Sequence, residues 1–201
     1  MRAGSRFVFV LAAMAGVIAG TSVSAHRLDE CLQAARIAIE PTRVEVELDL
    51  TPGAAVAESM ILDIDQDRDG RLSADEQRAY AERVVGSTQL EIDGRHLRLE
   101  RSASTFADVG AFRRGEGTIR IRSSAGVPRQ SDGAHQLVFR NTFRRDVSVY
   151  LANALVPGSD RIGVTAQRHA ADQRDLTIDY VVRAEQSAVS ALAWLRGIAG
   201  R

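Results

Sequence analysis

A single cysteine, Cys31, stands in the 201 residues, so no internal disulfide can form. Lysine is absent altogether. All 26 basic residues are arginines and 26 acids balance them, so the chain carries no basic field of the kind that draws nucleic acid. The Gly-x-Ser-x-Gly, His-Glu-x-x-His, phosphate-loop and dinucleotide-binding patterns are missing, and outside one loop the carboxylates form no suggestive pair. The sequence therefore predicts no enzyme. Cys31 has no histidine that the sequence places beside it, and no small residues of a lipidation site precede it. It is expected to be a buried structural thiol.

A composition of 45% hydrophobic and 26% charged residues is that of a globular chain with a core. The first 25 residues read differently. Arg2 and Arg6 precede an apolar run, Phe7–Ala19, and Val23-Ser24-Ala25 offers the small residues that signal peptidase requires. The reading is a cleaved signal peptide over 1–25, export to the periplasm or beyond, and a mature start at His26. Cleavage removes two arginines and leaves 24 against 26 acids, a slightly acidic mature chain.

From residue 34 onward the pattern is mainly β with an α insertion. Val44, Val46, Leu48 and Leu50 alternate with Arg43, Glu45, Glu47 and Asp49, the period of two that half-buries a strand. Ile37 and Ile39 suggest its hairpin partner. Asp93-Gly94 between Leu90-Glu91-Ile92 and Arg95–Leu99 is a two-residue hairpin signal that puts Leu90 opposite Leu97. Further strands are expected at Thr118–Arg122, Gln136–Asn141, Val147–Leu151, Ile162–Ala166 and Leu176–Val182. About nine short strands at this spacing predict a β-sandwich over 26–185.

Two helices interrupt the strands. Thr51-Pro52 reads as a helix opening, and Val56, Met60 and Ile64 give one apolar stripe. A second helix is expected from Ser73 to Val85, with Tyr80 and Val84 on one face and Gly86 as its cap. Between them runs Asp65-Gln-Asp-Arg-Asp-Gly-Arg-Leu-Ser-Ala-Asp-Glu76. Calcium is a hard cation that takes about six to eight oxygens at about 2.3–2.6 Å. Carboxylates at alternate positions, Asp65, Asp67 and Asp69, let a curling loop aim three side chains at one point. Gly70 permits the sharp turn, Arg71 offers its backbone carbonyl, Ser73 reaches the ion through a water, and Glu76 supplies two oxygens. Leu72 is the apolar residue that pins the loop to the interior. Ser73-x-x-Glu76 is also a capping box, which serves the second helix with or without a metal.

On these residues the segment 54–86 resembles the EF-hand superfamily. The resemblance implies a helix–loop–helix calcium site with Asp65, Asp67, Asp69, Arg71 and Glu76 as ligands, in a β-sandwich that carries a single hand. EF-hands usually come in pairs, and the sequence holds no second loop. Either Leu72 packs on the sandwich or two chains pair their hands as a homodimer. More loosely, the mature chain is similar to exported bacterial EF-hand proteins. Its start, His26–Glu30, and the segment leading into Thr51-Pro52-Gly53 are similar to the extracytoplasmic regions of HupE/UreJ-like membrane proteins.

Other features compete for a function. A terminal His26 with a second histidine, His96, His135 or His169, would chelate copper or nickel. The tail 186–201 carries Trp194, Leu195 and Ile198, broken by Arg196, and is too short and charged to span a bilayer. It is a candidate for covering the sandwich or for docking a protein partner or membrane surface. Arg113-Arg114 and Arg144-Arg145 sit beside turn residues and receive no function.

Overall fold

A computed structural model describes residues 28–184. The expected signal peptide, His26 and the tail 186–201 lie outside the described residues. The fold is β-rich α+β, with ten strands in two five-stranded sheets and three short helices among the described residues.

Strand β1 (Cys31–Ile39) and β2 (Arg43–Pro52) form an antiparallel hairpin, closed by the Glu40 amide donating to the Arg43 carbonyl at 2.9 Å. The alternation read from β2 is real: Val44, Val46, Leu48 and Leu50 are buried while Arg43 and Glu45 stand out. β1 reaches further back than its isoleucines suggested. Cys31, Gln33 and Ala35 also point inward, a set with too little β-branched character to announce a strand.

Helix α1 (Ala54–Ile64) and α2 (Ala74–Gly86) follow, then β3 (Thr88–Ile92), β4 (Arg95–Leu97), β5 (Glu100–Phe106) and α3 (Val109–Arg113). The chain closes with β6 (Ile119–Gly126), β7 (Gly133–Asn141), β8 (Ser148–Ala154), β9 (Ile162–His169) and β10 (Asp175–Val182). One sheet runs β5-β6-β2-β1-β8 and the other β4-β3-β7-β10-β9. The β3–β4 hairpin pairs Leu90 with Leu97 as its turn chemistry predicted. Asp93 and Gly94 take the φ values of 51° and 74° that a two-residue turn of this hand needs.

Three expectations are corrected. Thr51-Pro52 does not open a helix: both residues still pair with β1, and Gly53 caps α1 with its backbone carbonyl alone. Gly86 is not a left-handed cap but the last helical residue, followed by Ser87 at φ −91°. The strands number ten because β5, with Ser102 and Ser104 in its middle, was not legible as one.

A single cluster of buried residues draws on both sheets and on the helices. Helix α1 contributes Ala57, Met60, Ile61 and Ile64, and α2 contributes Tyr80, Ala81, Val84 and Val85. Tyr80 meets Phe106 and Phe143 edge-on, with ring centroids 6.1 and 5.5 Å away. Burying such side chains contributes about 1.5–3 kcal/mol each, far more than helix propensity over helices this short. The outer face of the first sheet is held by charge instead. Arg36 bridges Glu47 and Asp49, Arg122 closes on Glu47, and Arg120 on Asp49 at 2.8 Å.

Candidate metal centre

The loop between α1 and α2 is positioned from both sides by packing. On entry, Ile61 and Ile64 are buried, and Asp65 ends α1 with its own amide bonded to the Ile61 carbonyl at 2.8 Å. On exit, Ser73 caps α2. Its hydroxyl accepts the Glu76 amide while Glu76 Oε2 accepts the Ser73 amide at 2.9 Å, the reciprocal box that the sequence announced. Leu72 packs on the core from the middle of the loop. Gly70 has φ +81°, and nothing lies within 4 Å of where a Cβ would sit, so backbone conformation rather than space reserves the position for glycine.

Asp65, Asp67 and Glu76 converge: one carboxylate oxygen from each lies within 4.8 Å of the others. Asp65 is 3% exposed, an unusual place for a carboxylate without compensation. Its compensation is the loop backbone. Oδ1 accepts the Asp69 amide at 3.1 Å and Oδ2 the Gly70 amide at 2.9 Å. Glu76 Oε1 accepts the Gln66 amide at 2.7 Å. Acids from both ends of the loop thus fold its amides inward and leave oxygens grouped at the centre.

The remaining sites predicted from sequence stand outside that trio. The Asp69 carboxylate turns to the Arg71 amide at 2.8 Å, and Arg71 meets the loop through that amide. Ser73 is occupied with Glu76.

Crowded negative charge acts on the protonation of these acids. On Asp67, the hydrogen bond from the Asp69 amide favours ionisation. It is outweighed by desolvation, by the charges of Asp69 and Glu76 and by a shared hydrogen bond with Asp65, so the carboxyl is held above its ordinary range. Glu76 goes the other way, lowered chiefly by the Ser73 hydroxyl and then by backbone amides. A trio that ionises reluctantly at one member and is pre-organised at another can hold a cation. The all-oxygen donor set selects a hard one.

No family model, no curated protein and no solved structure matches this chain.

Sequence reasoning missed how the helix pair is clamped. Asp63, two residues before Asp65, takes Arg83 of α2 at 3.0 Å and Arg144 of the β7–β8 connection at 3.5 Å. Arg144 also donates to Ser59 Oγ at 3.0 Å. A partner 81 positions away leaves no local sequence signal.

The histidines do not gather. His169 bonds the Ala152 carbonyl at 2.7 Å, His96 pairs with Glu91, and His135 with Asp93. Among the described residues no histidine joins a group of three potential metal ligands. Cys31 is buried, and burial pushes its thiol up to about 12, which makes it no nucleophile near neutral pH. Among the described residues no helix is long and apolar enough to cross a membrane.

Proposed function

We propose that this chain is an exported calcium-binding protein: a β-sandwich carrying a single EF-hand-like helix–loop–helix at 54–86, whose ion has a structural role. The convergence of Asp65, Asp67 and Glu76 carries the reading. Asp69 and the Arg71 carbonyl complete the ligand set when the ion draws the loop closed, and Glu76 exchanges its contact with the Gln66 amide for the metal.

A structural role is favoured over sensing because the apolar faces of both helices are already committed. Tyr80, Val84, Met60 and Ile64 belong to the common core, so opening the pair would expose the domain interior rather than a spare groove. The packing of Leu72 on that core favours a hand that works singly over one that pairs with a second copy. Calorimetric titration of the purified protein with calcium tests the proposal, with magnesium as the control. Uptake of one ion, abolished in Asp65→Asn, is expected; absence of any heat at millimolar calcium would remove it. Export is tested separately by sequencing the mature N-terminus, expected at His26.

A further inference from the structure

A second concavity lies far from the acidic loop in chemistry. The β3–β4 hairpin and the β6–β7 connection enclose a cleft of about 270 Å³, of the size that holds a small solute. Arg95 and His96 line one wall; Arg129, Gln130 and His135 line the other. Ile92, Leu97 and Val127 supply its apolar surface.

The arginines of this chain are mostly spent on neighbouring acids, as the ladder Arg36, Arg120 and Arg122 shows. Arg95 and Arg129 are exceptions, for neither has an acidic partner among the described residues. The only acid lining the cleft is Asp93, and it is taken. Its Oδ2 meets His135 Nδ1 at 2.7 Å and its Oδ1 accepts the Gln136 amide at 3.0 Å. His135 Nε2 lies 2.8 Å from the Ser131 carbonyl. A carbonyl and an ionised carboxylate both only accept, so the imidazolium alone satisfies both contacts. The His135 side chain is only 9% exposed, which makes it a built-in charge rather than a solvated one. The cleft thus holds three cationic groups against one carboxylate.

Gln130, which lines the same cleft, is already held: its amide nitrogen donates to the Tyr180 hydroxyl.

We propose that this cleft binds a small organic carboxylate, with Arg95 and Arg129 as its clamps. Guanidinium forks match carboxylate oxygens two at a time, which suits two arginines lining one cleft. The proposal does not depend on calcium.

Succinate, malate and sulfate titrated against the full protein, followed by calorimetry and by the amide shifts of Arg95, Arg129 and Gln130, test it. Saturable millimolar binding of both carboxylates, tighter than that of sulfate, is expected. Arg95→Gln and Arg129→Gln should each weaken binding about tenfold, while Arg145→Gln, an exposed arginine outside the cleft, should change nothing. Both clamp arginines are exposed, so their removal leaves the core intact. Three results overturn the proposal: no saturation, binding indifferent to both clamp variants, or sulfate bound as well as malate and lost equally.

Discussion

Replacing Asp65 by asparagine separates the part its side chain plays in the loop from the ligand role proposed for it. The carboxylate is buried and holds the Asp69 and Gly70 amides with its two oxygens. Asparagine keeps the volume and one acceptor but turns an NH₂ towards the other amide. That mismatch should cost about 1–3 kcal/mol in the absence of metal. In a domain of this size it lowers the melting temperature by about 2–12 °C in chelator. Calcium adds the second term. At a free concentration a hundred times the dissociation constant, the wild-type chain gains about 2.7 kcal/mol, or about 5–11 °C. If the substitution weakens the ion a hundredfold, the same calcium stabilises the variant by only about 0.4 kcal/mol, or about 1–2 °C. Scanning calorimetry of both proteins, in chelator and in calcium, reads the four midpoints. Equal calcium increments in the two proteins would refute the assignment of Asp65 as a ligand. No increment in the wild type would refute a structural ion altogether.

The opposite sign is expected at Asp67. Its folded carboxyl is raised, so its contribution to stability is fully present below the unfolded value and is lost as pH rises through the folded one. Asp67→Asn should therefore raise the melting temperature at neutral pH in chelator while weakening calcium uptake. Gly70→Ala meets no atom but must hold φ +81°, and should cost about 1 kcal/mol in chelator melts. Gln33 donates to the Phe143 carbonyl at 2.8 Å and accepts from Asn141 at 2.8 Å, deep in the core. Gln33→Ala strands the Asn141 amide, leaves the Phe143 carbonyl to the Tyr150 hydroxyl alone and opens a void, an expected loss of about 2–4 kcal/mol in urea unfolding. His135 is raised first by Asp93 and then by the Ser131 carbonyl. The stability it contributes is complete below its unfolded pKa and fades as pH rises through the folded one. Proton NMR titration should show Asp93→Asn bringing the His135 midpoint down.

The parts of this molecule that local rules govern were legible in the sequence. Alternation located β2, Asp93-Gly94 located the hairpin and its register, and the loop from Asp65 to Glu76 stood out with its capping box. Where tertiary pairing overrides local preference, the reading failed. Pro52 looked like a helix start, but it still lies opposite Cys31 in the ladder with β1, and the Gly53 amide bonds the Glu30 carbonyl at 2.8 Å before the chain turns. Strand β5 is built from Ser102, Ala103, Ser104 and Thr105, and owes its form to β6 beside it. Helix α3 is five residues long, with only the Asp108 cap to signal it. The loop was legible as a run of acids but not as geometry: that Asp69 turns to the Arg71 amide is settled by the local path of the backbone, and that Asp63 is gripped by Arg83 and Arg144 depends on contacts made across the fold.

The pairing of β1 with β8 is the one parallel ladder among the described strands. Gln33 of β1 reaches Ser148 of β8 across 115 positions. That edge of β1 is therefore covered only once β8 has been made, and contacts this distant in sequence are slow to form. The helix pair shares the delay, because Arg144 grips Asp63 from 81 positions away and the apolar faces of both helices pack into the same core, so the acidic loop takes its shape together with the sheets.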